Sequence, residues 1–159
     1  MDKLDIRILE ALEEDARRSF ATLGQSVGLS KTPCWQRVRA LERAGVIKGY
    51  RTELDAGRLG LNVHAFVQIT IHPAKYGEFE SAVLKHPAIL QCFTTAGQAD
   101  YIVHVLAGGI SELDHLLRMQ VARLPGVQRI ETTVCLKTIK ERAPLMGVVN
   151  VATESRGSR

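Results

Sequence analysis

Between Val27 and Lys31 the chain reads Gly28-Leu29-Ser30, three residues separating two stretches of helical periodicity, and few geometries satisfy that spacing. On the N-terminal side Ser19 is placed as a cap, and Phe20, Leu23 and Val27 recur at i, i+3 and i+7 before Gly28 ends the helix. On the C-terminal side Ser30 is placed as the next cap. Pro33 then falls in the first helical turn, where its missing N–H costs nothing, and Gly45 supplies a left-handed terminus. Two helices joined this tightly must cross steeply, which is the arrangement of a helix-turn-helix.

A helix before the pair completes a small bundle. Asp2 and Asp5 have the spacing of a capping pair, and Leu4, Ile8, Leu9 and Leu12 mark an apolar stripe that predicts a helix to about Arg17. In the last of the three helices Cys34, Val38 and Leu41 share one face. Thr32, Gln36, Arg39 and Arg43 gather on the opposite one, with Trp35 on its flank. Charge follows the same division. The chain carries a net +4, and the excess sits in residues 16–51, where Arg17, Arg18, Lys31, Arg37, Arg39, Arg43, Lys48 and Arg51 face only Glu42. Residues 1–15 are acidic. A positive field confined to one helical unit predicts a polyanionic partner for that unit.

Beyond Gly45, residues 46–54 read as an extended segment, and the stretch DAGRLGLN reads as a connector. The period then changes to two: Val63, Ala65, Val67, Ile69 and Ile71 alternate with His64, Phe66, Gln68, Thr70 and His72, the pattern of a strand buried on one face. A helix over about 75–86, strands over 89–96 and 101–107, a helix capped by Ser111 and running to Arg123, and a last strand over 127–139 complete the pattern. HPAILQCFTT at 86–95 matches LPGVQRIETT at 124–133, and the same 38-residue offset carries Val63 onto Tyr101. Each half is therefore strand-helix-strand, and two such halves form the βαββαβ split of a ferredoxin-like sheet. The expected fold is α+β, a helix-turn-helix (winged-helix-like) domain at 1–50, a hinge at 51–62, a ferredoxin-like domain at 63–143 and a flexible tail at 144–159.

Several functions fall away. Cys34, Cys92 and Cys135 are odd in number and far apart, which points to buried thiols in place of a disulfide framework or a CxxC metal site. His64, His72, His86, His104 and His115 are too scattered for a local metal motif, although His64 and His104 would meet if their strands paired. No phosphate loop, nucleophile elbow or paired-carboxylate site is present, so neither enzyme chemistry nor a cofactor is expected. No apolar run reaches the length of a membrane span, and MDKLDIRILE lacks the order of a signal peptide, so the expected location is the cytoplasm.

Taken together, MDKLDIRILEALEEDAR, SFATLGQSVGLSKTPCWQRVRALERAGVIKGYRTELD and TTAGQADYIVHVLA resemble the Lrp/AsnC family of feast/famine transcriptional regulators over nearly the whole chain. The motif S-x-T-P-C-x-x-R-V-x-x-L-E-x-x-G-V-I at Ser30 to Ile47 is the most specific part. The resemblance implies binding to double-stranded DNA, and a C-terminal RAM domain that dimerises and senses a small molecule, usually an amino acid. It also implies dimers that build tetramers or octamers, with the effector lodged between dimers.

A helix in the major groove offers its N-terminal half to base edges, which makes Thr32, Trp35, Gln36 and Arg39 the base-reading candidates. Gln36 suits adenine, Arg39 guanine, and Trp35 a thymine methyl. Trp35 at a helix boundary is equally suited to packing between helices. Lys31, Arg37 and Arg43 are the candidates for phosphate, joined by the helix N-termini at Ser19 and Ser30. For the effector, Gly97 is expected to take positive φ between two strands. Asp100 would hold an ammonium group, Gln98 and nearby backbone N–H groups a carboxylate, and Tyr101 would form a wall. Gly, Gln and Asp are also ordinary turn residues. Two other functions share parts of this pattern. Tetrapyrrole (siroheme-type) decarboxylases look like this family in both domains but use histidine and arginine, and an architectural DNA-wrapping protein would share every basic residue.

Overall fold

A computed structural model describes residues 1–157, with side chains through residue 152. The chain divides into two compact units, one built from Met1–Glu53 with Lys140–Arg159 and the other from Leu54–Ile139.

In the first unit, α1 (Lys3–Glu14), α2 (Phe20–Val27) and α3 (Lys31–Arg43) bury Ile8, Leu9, Leu23, Val27, Cys34, Val38 and Leu41 in one core. The caps follow the local sequence. Asp2 and Asp5 form a reciprocal capping box, and the Ser19 hydroxyl accepts from Thr22 N at 3.1 Å. Gly28 sits at φ 80° and Gly45 at φ 71°. At the end of α3, Val46 N donates to Leu41 O at 3.0 Å and Gly45 N to Glu42 O at 3.0 Å, a Schellman closure that only a left-handed residue at Gly45 allows. Two boundaries differ from the sequence reading. α1 stops at Glu14, short of Arg17, because Asp15 leaves the helix and its carboxylate accepts from Arg17 N at 2.8 Å. Residues 46–54 form no strand, so the winged part of the expectation is absent here.

The larger correction concerns the C-terminus. Residues 144–159 were expected to be a flexible tail, yet α6 (Leu145–Gly157) is a helix of the first unit; Ser158 and Arg159 lie outside the described residues. Its first amides are satisfied from another helix: the two oxygens of Glu13 accept from Leu145 N at 2.7 Å and Met146 N at 2.9 Å. Asn150 Nδ2 donates to Glu10 at 2.8 Å, and Met146 is buried in the core with Val149 packed against it. No cap residue within the tail announces this helix, because its cap stands 132 residues upstream.

The second unit is a four-stranded antiparallel sheet in the order β2-β3-β1-β4, with β1 Val63–Ile71, β2 Ile89–Thr94, β3 Tyr101–Ala107 and β4 Val127–Cys135. The expected βαββαβ chain order holds, with α4 (Tyr76–Lys85) after β1 and α5 (Ile110–Met119) after β3. Odd-numbered residues of β1 and β3, from Ala65 to Ile71 and from Tyr101 to Ala107, pack with Phe79, Val83, Leu113, Leu116 and Val121. The even-numbered residues face away from the helices. Four edges differ from expectation, the first being that β2 ends at Thr94, short of residue 96. α5 is capped by Gly109, with Ser111 inside the helix and Glu112 accepting from Gly108 N at 2.9 Å. It ends at Met119, a separate 3-10 turn covers Val121–Arg123, and β4 ends at Cys135, short of Ile139. The connector DAGRLGLN, expected to be a hinge, is a hydrogen-bonded turn of this unit, with Leu61 N donating to Ala56 O at 2.8 Å.

Candidate nucleic-acid interface and effector turn

The exposed side of α3 is shaped by what its other side buries. Cys34 and Val38 are fully buried and Leu41 nearly so, which turns Trp35, Gln36, Arg39 and Arg43 outward along one shallow concave surface. Burying Val38 and Leu41 is worth about 1.5–3 kcal/mol each, so the orientation of the polar face is fixed by the core. Burial also pushes the Cys34 thiol above its ordinary range, leaving it an apolar filler.

Of the two roles open to Trp35, packing between helices is not the one observed: the ring is 43% exposed. The Arg39 guanidinium lies 5.9 Å from its centroid and pairs with Glu42 at 3.0 Å. Glu42 also accepts from Tyr50 Oη at 3.1 Å, and burial followed by this bond raises the Tyr50 phenol, which stays protonated. Arg39 is thus held ready on the surface by an aromatic face and a carboxylate. Tyr50 was not among the sequence candidates, since nothing local ties it to Glu42 eight residues earlier. Ser30 is the N-cap of α3 but makes no side-chain cap bond. Ser19, Ser30, Lys31 and Thr32 are all exposed, at the starts of α2 and α3, where the first amides of a helix have no carbonyl partner within it.

Arg37 departs from its expected role as a phosphate contact. Its guanidinium is turned to the start of α1, 2.7 Å from Asp2 and 2.8 Å from Asp5. The bond from Asp5 N, then Arg37 itself, holds the Asp2 carboxyl below its ordinary 3.8. A carboxyl depressed by folding contributes stability at pH values above its unfolded pKa, and that contribution is lost as the pH falls through the folded value. The contribution of this pair is therefore expected to be lost progressively below about pH 3.8, and Asp2→Asn should lessen the pH dependence of melting there; a wild-type profile unchanged by the substitution would remove the pair from the account.

The β2–β3 turn is held from both ends. Thr95 N donates to Asp100 O at 2.9 Å and Thr95 Oγ1 to Ala99 O at 2.6 Å. Asp100, expected to hold a ligand's ammonium, already accepts from Ile71 N at 2.9 Å and from Tyr76 Oη at 3.1 Å, so its carboxylate pins the turn to the end of β1. Gly97 does not adopt positive φ, and a Cβ there would meet open space, so its expected conformational role is absent. Tyr101, expected as a pocket wall, is 3% exposed on the helix side of the sheet, where its Oη donates to Glu80 at 2.7 Å and its ring packs on Phe79. Burial, reinforced by Glu80, raises its pKa far above the ordinary range. Of the four expected effector residues, Gln98 lines a shallow cleft with Ala99, Gln68, Thr70, Arg129 and Glu131. Arg129 and Glu131 were missed because strand alternation places them on one face without saying which turn stands beside it.

His64 and His104 do meet across β1 and β3, their rings 5.7 Å apart, with Phe66 stacked on His104 at 4.8 Å. No cluster of three or more His, Cys, Asp or Glu side chains able to hold a metal occurs among the described residues. No helix among them is long and apolar enough to cross a membrane.

Residues 1–42 match the model of the AsnC-type helix-turn-helix domain, and residues 64–145 match that of the Lrp/AsnC ligand binding domain. The chain belongs to the Lrp/AsnC family. Among its relatives is the leucine-responsive regulatory protein of Klebsiella pneumoniae, 38% identical over 144 residues that cover 89% of this chain and 88% of that protein. The proline dehydrogenase transcriptional activator of Rhizobium radiobacter is 35% identical over 144 residues, 89% of this chain and 92% of that one. Among solved structures, a transcriptional regulator of Neisseria meningitidis in complex with L-Met superposes with a TM-score of 0.88 at 31% identity, covering 91% of this chain and 96% of that one. E. coli AsnC gives 0.85 at 28% identity, covering 90% and 97%. An Lrp/AsnC chain with this helical unit is a DNA-binding transcriptional regulator, and its sheet unit is the family's ligand-binding domain.

Proposed function

We propose that α3 reads double-stranded DNA through Thr32, Trp35, Gln36 and Arg39, while Lys31, Arg43 and the helix N-termini at Ser19 and Ser30 hold phosphates, and that the sheet unit answers to a free amino acid. The observation that carries the DNA reading is the outward face of α3, where an amide, two guanidinium groups and an exposed indole stand over a buried apolar stripe. The Gln36 amide offers one donor and one acceptor, as an adenine edge requires, and the Arg39 guanidinium two parallel donors, as a guanine edge requires. Arg37 is left out of the interface because Asp2 and Asp5 neutralise it. The L-Met held by the Neisseria meningitidis regulator supports an amino-acid effector.

The chain acts as a homodimer that assembles further. Support comes from the helix-free face of the sheet, which exposes Phe66 (37%) and Phe93 (54%), an apolar surface that a second copy would cover. A siroheme-type decarboxylase has the weaker case, since a basic helix face serves no purpose in that chemistry; a Soret band in the purified protein, or consumption of a siroheme-like substrate, would reverse the ranking. A regulator of this type works in the cytoplasm, where its DNA is.

The test separates base contacts from phosphate contacts. Gln36→Ala and Arg39→Ala are each expected to cost about 1–3 kcal/mol at the cognate operator and to change sequence discrimination. Arg43→Ala should weaken all sequences alike and reduce the salt dependence by about one unit of slope. Binding is measured on a base-substitution series of the operator and on random DNA at fixed salt. Equal affinity for all sequences would favour an architectural, DNA-wrapping role.

A further inference from the structure

Beside the β2–β3 turn, the chain places two opposite charges where a zwitterion would need them. Arg129 and Glu131 lie two apart on β4, so both side chains stand on one face of the sheet. Register sets Arg129 opposite Thr70 and Glu131 opposite Gln68, and the turn residues Gln98 and Ala99 close the same cleft. The two charged groups pair with each other.

We propose that Arg129 and Glu131 are the recognition pair of the effector site, Arg129 taking the α-carboxylate and Glu131 the α-ammonium, so that the site selects a free α-amino acid over an amine or an acid alone. This rests on the reading that the sheet unit binds an amino acid. Three observations carry the assignment. The carboxylate first suited to the ammonium, Asp100, is engaged by Ile71 N and Tyr76 Oη, leaving Glu131 as the carboxylate lining the cleft. The guanidinium fork of Arg129 matches a carboxylate in two hydrogen bonds, which the Gln98 amide can only supplement. The remaining lining, Gln68, Thr70, Gln98 and Ala99, is uncharged, so no other group in the cleft competes for either end of the ligand. In the free chain each charge shields the other; a zwitterion entering between them exchanges one ion pair for two. The cleft of one chain has room for about 20 Å³, far below the roughly 300 Å³ of a closed ligand site, and in this proposal a second copy supplies the other wall.

The full-length protein is tested by thermal shift against each of the twenty L-amino acids. The strongest hit is then titrated calorimetrically beside its N-acetyl and carboxamide derivatives, for wild type, Arg129→Gln and Glu131→Gln. Wild type should lose about 30-fold or more in affinity for either derivative, and each variant a similar factor for the parent amino acid. The specific signature is a cycle: Arg129→Gln should bind acid and carboxamide alike while still rejecting the N-acetyl form, and Glu131→Gln should do the converse. Circular dichroism and melting without amino acid should match wild type in both variants, which shows that they are folded. Wild-type binding in both variants, or loss of discrimination unrelated to the charge removed, overturns the pair but leaves the amino-acid reading standing. A wild-type protein that responds to none of the twenty overturns both.

Discussion

Replacing Gly24 by valine is expected to disrupt the helix-turn-helix and abolish operator binding while the sheet unit keeps its structure. Gly24 is buried within α2, and a Cβ at that position would lie 2.7 Å from Leu29 O and 3.2 Å from Ser30 O, both backbone atoms of the turn. Those atoms cannot swing aside as a side chain does. The turn is also bound to the same residue, since Leu29 N donates to Gly24 O at 2.8 Å. Overpacking a core costs typically 1–3 kcal/mol, and an obstacle made of backbone puts this site at or beyond the top of that range. Gly28→Ala tests a different mechanism, the left-handed φ of 80°, and should cost about 1–2 kcal/mol with no clash. Gly97→Ala should be close to neutral, because its backbone is ordinary and the space around it open. Amide hydrogen exchange resolved by residue, alongside operator titration, distinguishes the units. A Gly24→Val protein with native protection in α2 and α3 would show that the turn can open to admit the side chain.

Removing residues 145–159 is expected to lower the melting temperature of the DNA-binding unit by about 8 °C or more, on the order of 2–5 kcal/mol at 4–8 °C for each. Met146 fills part of the core formed by Ile8, Leu9, Leu23, Val27, Cys34, Val38 and Leu41, and its loss leaves a cavity under α1. Glu13 would also lose two amide donors, and Glu10 its bond from Asn150. Met146→Ala in the full chain should reproduce much of the effect without shortening the protein. The fragment 1–53 alone should be less stable than the same residues in the whole chain, because the helix that covers them arrives from the far end of the sequence. Calorimetry on the three proteins decides this, and an unchanged transition in the truncated chain would make α6 an ornament of the fold.

The elements governed by neighbours in the chain were legible in the sequence. Ser19 caps α2, Gly28 and Gly45 end their helices in the left-handed region, and Cys34, Val38 and Leu41 face inward because residues three and four apart share a helix face. The same holds for the sheet, where alternation in β1 marked its buried side and a repeated strand-helix-strand pattern marked the chain order. Arg37 and Arg39 mark the limit. Two residues apart on one helix, both read as DNA contacts, Arg37 to phosphate and Arg39 to a base, yet Arg37 is spent on Asp2 and Asp5 across the bundle while Arg39 stays on the surface between Trp35 and Glu42. Asp100, Tyr101 and α6 differ from their sequence reading for the same reason, each taking its partner from an element distant in the chain: Ile71 and Tyr76, Glu80 and Phe79, Glu13 and Glu10. Periodicity and capping are local because they arise from the fixed geometry of the backbone. Which charge is neutralised and which remains to meet a ligand depends on distances set only when the helices and strands pack.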